Sequence, residues 1–265
     1  MSNMELVKMI DLSRCTACRG CQVACKQWNE LPASKTKNWG SYQNPADLEW
    51  NTWTLIRFQE YVDAKGRFKW LFRKDGCMHC TDAACVKVCP TQALYHTEFG
   101  TVAFDPERCI GCKDCIPACP FNIPRFNEQT KKIGKCDLCL SRLRANKPPA
   151  CVLSCPTGAL SIGPKAEMIE KAYKRAKALG EGASVYGDKF VGGTHVIYVL
   201  PEPVSAYPGL PENPSVPLPI ILWKDVLKPA SVIAGGGVLA AAFLHYILHG
   251  PKRPVEDTQE GGSEI

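Results

Sequence analysis

Sixteen cysteines stand in four groups of four along 265 residues, and none lies outside a group. The groups are Cys15, Cys18, Cys21, Cys25; Cys77, Cys80, Cys85, Cys89; Cys109, Cys112, Cys115, Cys119; and Cys136, Cys139, Cys151, Cys155. The third reads C-x2-C-x2-C-x3-C-P, the bacterial ferredoxin run for [4Fe–4S] ligation. The first has the same spacing, but Lys26 stands where the proline would be. The second widens one gap to four residues and the fourth widens it to eleven, and both end in C-x3-C-P. A chain that brings these thiolates together has its loops dictated by cofactors, because each cubane needs one soft ligand per iron. Sixteen thiolates at four per cubane imply four [4Fe–4S] clusters.

Cysteines three residues apart let one tight loop wrap three corners of a cube. The fourth lies on the helix that leaves the loop and reaches a neighbouring cluster. Pro90, Pro120 and Pro156 then turn the chain. This crossed-ligand rule joins the second and third groups: Cys77, Cys80, Cys85 with Cys119, and Cys109, Cys112, Cys115 with Cys89. By elimination the first and fourth groups pair as Cys15, Cys18, Cys21 with Cys155, and Cys136, Cys139, Cys151 with Cys25. A disulfide framework suits a small secreted domain, not a chain of this length without a secretory signal. Cys136, Cys139, Cys151 and Cys155 taken alone would also suit zinc. The C-x3-C-P ending and the three sister groups favour iron–sulfur.

The formal charge is +6. Four cubanes at about −2 each offset it to about −2. Arg14, Arg19, Lys26, Arg108, Lys113, Lys135, Arg142 and Arg144 are expected to offset cluster charge rather than bind nucleic acid, since no long basic stripe occurs. There is no G-x-G-x-x-G, no G-x-x-x-x-G-K-[ST], no H-E-x-x-H and no nucleophile elbow. The chain is expected to move electrons and to hold no catalytic residue for a substrate.

The expected fold class is α+β: two nested bacterial-ferredoxin-like units plus a C-terminal transmembrane helix. Residues 1–25 and 136–200 form the outer unit and 77–135 the inner one. Residues 26–76 are an aromatic-rich insertion, 201–222 a proline-rich extended arm, 223–250 the membrane segment and 251–265 a polar tail. Strands are expected at Lys8–Asp11, Trp53–Val62, Phe68–Phe72, Ala93–Tyr95, Val102–Phe104, Gly158–Ile162 and His195–Leu200. Asp63 to Gly66 reads as a hairpin turn. Pro164 to Leu179, closed by Gly180, reads as a helix with proline first and glycine after its end. The insertion's tryptophans are expected to pack in the core, with a partner-docking face as the alternative.

Pro229 to Leu248 is uncharged and 20 residues long. As a helix it spans about 30 Å, enough to cross a bilayer. Trp223 and Tyr246 sit near its ends as interfacial aromatics do. Ser231 with Gly235, Gly236 with Ala240, and Gly237 with Ala241 would let a second helix approach. Lys224 and Lys228 before the span balance Lys252 and Arg253 after it, so charge does not orient it. His245 and His249 are expected to hydrogen-bond a partner or headgroup rather than to ligate haem.

Three stretches carry a closer resemblance: Asn44–Leu48 with Trp53-Thr54 and Arg57-Phe58; Cys119-Pro-Phe-Asn-Ile-Pro-Arg125; and Gly192–Val196 followed by Tyr198-Val-Leu200. With the four cysteine groups and the single C-terminal span, the chain resembles the iron–sulfur beta subunit of membrane-bound respiratory formate dehydrogenases. That resemblance implies a molybdopterin catalytic alpha subunit with molybdenum or tungsten, and a membrane cytochrome b (gamma) subunit that reduces quinone. It implies a place in the inner membrane with the body on the periplasmic side. It also implies an order: in at the Cys15 set, through the Cys136 set, then the Cys109 set, and out at the Cys77 set. The cysteine groups fit equally a subunit serving a hydrogenase or a sulfur-compound or sulfoxide reductase. A stand-alone polyferredoxin fits less well because of the span.

Overall fold

The computed structural model describes residues 5–250, without the side chains of 223–225. They divide into two compact units, a body to Ile220 and a segment from Ile221. In chain order the body runs β1 (Leu6–Asp11), α1 (Gly20–Trp28), β2 (Thr54–Val62), β3 (Phe68–Gly76), α2 (Ala84–Val88), β4 (Leu94–His96), β5 (Val102–Phe104), α3 (Cys115–Ala118), β6 (Arg125–Asn127), β7 (Lys132–Gly134), α4 (Leu140–Arg144), α5 (Ala150–Leu153), β8 (Leu160–Pro164), α6 (Lys165–Leu179), β9 (Ser184–Tyr186) and β10 (Val196–Leu200). The short helices and two-stranded hairpins of residues 77–155 frame the cysteine loops.

The one larger sheet has the order β8-β1-β10-β9, with β1 and β10 parallel and the outer pairs antiparallel. Period-two alternation divides its faces. Val7, Met9, Ile197 and Val199 pack against Met168, Ala172 and Ala176 of α6, which recur every four residues on one helix face. Ile10, Val196, Tyr198 and Leu200 look the other way, into the core that also holds Cys21 and Cys151. Lys8 shares that register with Ile10, and it is buried. α6 starts at Lys165, one residue later than expected, because Pro164 closes β8 and takes the N-cap. Gly180, at φ 90°, ends the helix where a side chain would be strained.

The long hairpin pairs β2 with β3 from Thr54 opposite Gly76 to Val62 opposite Phe68. Asp63 fixes its turn by accepting from the Lys65 and Arg67 amides at 2.9 and 3.0 Å. Tryptophan placement departs from expectation. Trp28, Trp39 and Trp70 are exposed, and Trp50 and Trp53 are half-buried. The cores are filled instead by aliphatic side chains and by Tyr186, Tyr198 and Tyr207. Trp70 packs edge-on against Tyr42 and at a tilt against Phe58 and Phe72 on the hairpin surface. The proline-rich stretch forms a 3-10 turn at Val204–Ala206 and no longer element before Leu218. It lies on the body: Tyr207 and Leu210 enter the main core, and Arg73 and Tyr186 donate to the Pro208 and Pro211 carbonyls at 3.0 and 2.6 Å.

Helix α7 (Leu218–Ile221) is a single turn, and the second unit continues through a π-helical turn at Leu222–Leu227 into α8 (Lys228–His249). Pro229 falls in the first turn of α8, where a missing N–H costs nothing. At 22 residues, with an 18-residue stretch of mean hydropathy 1.8, α8 is long and apolar enough to cross a membrane. His245 and His249 stack one turn apart with ring centroids 4.7 Å apart. The polar tail, Lys252 and Arg253, and the Trp223 side chain lie outside the described residues.

Candidate metal centres

Each cysteine loop carries the same backbone device. The residue before the second cysteine of every group has a left-handed φ: Ala17 at 54°, His79 at 50°, Gly111 at 72° and Leu138 at 59°. Alternating right- and left-handed residues turn successive N–H groups into a concavity for an anion, the arrangement common at iron–sulfur sites. A second device follows three of the fourth cysteines. Gln92, Asn122 and Gly158 are left-handed, and their amides donate to the Cys89, Cys119 and Cys155 carbonyls at 3.4, 3.0 and 3.2 Å. These are the turns that C-P directs. Cys25, followed by Lys26, has no such turn and lies within α1, which runs on to Trp28.

The loops bring the thiols together across groups. One pocket is lined by Cys89 with Cys109, Cys112 and Cys115, and another by Cys155 with Cys15, Cys18 and Cys21. Cys80 has Cys77, Cys85 and Cys119 as charge neighbours, and Cys139 has Cys136 and Cys151. Cys25 stands beside Cys136 and Cys151. All sixteen are free thiols, which removes the disulfide framework. Among the described residues no three such side chains converge tightly enough for a single metal ion.

Burial sets the chemistry of the sulfurs. It pushes the thiols of Cys21 and Cys119 up to about 11 and those of Cys25 and Cys115 up to about 12. Cys80, Cys85 and Cys139 are raised further by burial and by their neighbouring thiols. Such groups become thiolates when a metal displaces the proton. Cys89 is the exception. Burial pushes it up, but hydrogen bonds from the Leu94, Ala93 and Thr91 backbone and from the Thr91 hydroxyl hold it below the ordinary thiol range.

The sets also touch one another in file. Cys21 of the Cys15 set is a charge neighbour of Cys151, Cys136 of Cys77, and Cys85 of Cys115. This corrects the order implied by resemblance. The Cys77 set, not the Cys109 set, adjoins Cys136, where the chain leaves the inner unit at Lys135 and returns to the outer one. The two ends come to the surface, at exposed Cys18 and exposed Cys112.

Comparison with known proteins fits these loops. Residues 14–93 and 68–165 each match the family described as "4Fe-4S dicluster domain". Residues 216–259 match "Formate dehydrogenase N, transmembrane". The nitrate-inducible formate dehydrogenase iron–sulfur subunit of Escherichia coli K12 is 45% identical over 267 residues, covering 98% of this chain and 90% of that one. The chain belongs to the formate dehydrogenase iron–sulfur subunits. The subunit of Haemophilus influenzae is also 45% identical, over 96% of this chain and 84% of its own. Formate dehydrogenase 2 subunit beta (cytochrome c-553) of Nitratidesulfovibrio vulgaris is 40% identical over 75% of this chain and 94% of its own. This formate dehydrogenase subunit is thus an electron-transfer protein of four [4Fe–4S] clusters with a membrane anchor.

Sequence proximity found Lys135, which is buried and acts on Cys85 and Cys119, but other cations near cysteines lie elsewhere. Lys113 pairs with Glu128 and Arg144 with Glu98 at the surface, at 3.1 and 2.7 Å. Two lysines buried against the thiols, Lys8 and Lys74, were missed. Lys8 had a legible signal, since it sits in register with Ile10 on a core-facing strand face.

Proposed function

We propose that this subunit carries electrons from a molybdopterin catalytic subunit, which oxidises formate to carbon dioxide, a proton and two electrons, to a membrane cytochrome b partner. Quinone there takes up two electrons and two protons. Each bound cubane supplies one-electron chemistry; the residues of this chain hold the four ligand sets and exclude water between them. The ligands are Cys15, Cys18, Cys21 with Cys155; Cys136, Cys139, Cys151 with Cys25; Cys77, Cys80, Cys85 with Cys119; and Cys109, Cys112, Cys115 with Cys89. Entry is at the first set and exit at the last. The chain has no substrate site of its own, and its body faces the periplasm, anchored by α8.

The observation that supports this reading best is the unbroken file of thiol sets, each beside the next, with both ends at the surface. A chain ended after Trp223 tests it. In the complex, formate should still reduce an added viologen dye, while formate-driven quinone reduction falls to background. Quinone reduction that survives would place the exit elsewhere.

A further inference from the structure

Three lysines are almost wholly buried in the body: Lys8 at 1% exposed, Lys74 at 3% and Lys135 at 2%. A buried ammonium persists only against negative charge. The buried carboxylates among the described residues are Asp11 and Asp75, and both are taken by arginines: Asp11 by Arg175, Asp75 by Arg57 and Arg73. The lysines therefore face something else. Lys74 Nζ donates to Thr54 Oγ1 at 3.2 Å and stands among Cys21, Cys136 and Cys151, which belong to the first two ligand sets. Lys135 Nζ donates to the Val102 and Cys136 carbonyls at 2.7 and 2.8 Å and acts on Cys85 and Cys119, in the third. Lys8 acts on Cys136 between them.

These positions coincide with the first two of the three joints in the file, on either side of the second set. Among the described residues the last set has no such buried lysine. Its near neighbour Lys113 lies over the Phe126 ring and pairs with Glu128 in solvent. Water screens an exposed end, while an interior cluster has only protein around it. Adding an electron to a buried, already negative group is disfavoured, so burial alone would lower the interior potentials. A fixed cation at the joint opposes that.

We propose that Lys74 and Lys135 are charge-positioning residues that hold up the reduction potentials of the interior clusters, so that the file has no uphill step between its exposed ends. The inference rests on the four ligand sets given above.

The test is an anaerobic potentiometric titration of the purified complex, read by EPR, with iron counted on the same samples. Lys74→Met should make reduction of the first two clusters at least tenfold less favourable, a fall of 59 mV or more for a one-electron couple. Lys135→Met should do the same at the third. Both should leave the last cluster unmoved, as should exposed Lys113→Met at all four. Lys74→Arg, which keeps the charge, should restore the potentials. Full iron with all midpoints unmoved in both Met variants overturns the inference. Iron short of four cubanes in the unsubstituted protein overturns the ligand sets instead. If a Met variant loses its iron, the corresponding Arg variant must load fully; an Arg variant that also fails overturns a role for charge.

Discussion

Removing one thiolate should damage a cluster that its own sequence group does not otherwise build. Cys119 follows Cys115 by four residues, yet its charge neighbour is Cys77, and it lies against Leu48, Leu55 and Ile123 rather than in the pocket of Cys109, Cys112 and Cys115. Its sulfur accepts from the Phe121 and Ile123 amides. Cys119→Ala therefore takes one corner from the Cys77 cube. At four irons per cubane, the count should fall from about sixteen to about twelve. Pairing the substitutions makes the assignment strict. Cys77→Ala with Cys119→Ala strikes one cluster twice, so the double variant should keep about twelve irons. Cys109→Ala with Cys119→Ala strikes two clusters and should keep about eight. The assay is colorimetric iron on the anaerobically purified subunit, freed of partner chains that carry iron of their own, with integrated EPR spins of the reduced protein as a second count. Eight irons in the 77/119 double and twelve in the 109/119 double would refute the crossed assignment.

Gly111→Ala should impair the Cys109 loop: its φ is +72°, and a Cβ would lie 2.2 Å from the Lys131 carbonyl oxygen. The left-handed backbone alone costs about 1–2 kcal/mol, read as lower thermal stability and loss of the cluster nearest exposed Cys112. Tyr198→Phe removes the 2.7 Å donation from Tyr198 Oη to the Lys74 carbonyl in the core. It should cost about 1–3 kcal/mol in thermal or denaturant unfolding, and an unchanged midpoint would contradict the packing described. A chain ended after Trp223 should move from membranes to the soluble fraction with its iron intact when expressed without partner subunits. If it stays with membranes, α8 is not the anchor.

Much of this molecule was legible because cofactors write their demands locally. Loop spacing around Cys109 or Cys77, the hairpin closed at Asp63, and the uncharged run from Pro229 each depend on residues close in sequence. What escaped depends on contact through space. The β1–β10 pairing joins residues nearly 190 apart in register, Lys8 with Val196, and no local pattern announces it. The adjacency of Cys136 and Cys77, which reverses the last two clusters from the expected order, arises the same way. Some cations near cysteines in sequence, such as Arg144, proved to be surface ion pairs, while Lys135 is buried against the thiols. Lys74 reaches the thiols because β3 carries it inward. The tryptophans were misjudged because Leu, Ile, Val and Tyr already fill the cores, leaving Trp28, Trp39 and Trp70 at the surface.

The central claim is that this chain conducts electrons from formate. The direct measurement is anaerobic purification of the complex in mild detergent, followed by formate while visible and EPR spectra are recorded. The account predicts that formate bleaches the cluster absorbance and raises reduced-cluster signals, and that dithionite adds little more. Full reduction by dithionite with no response to formate, in a preparation whose catalytic subunit is present and oxidises formate with a dye, would contradict it.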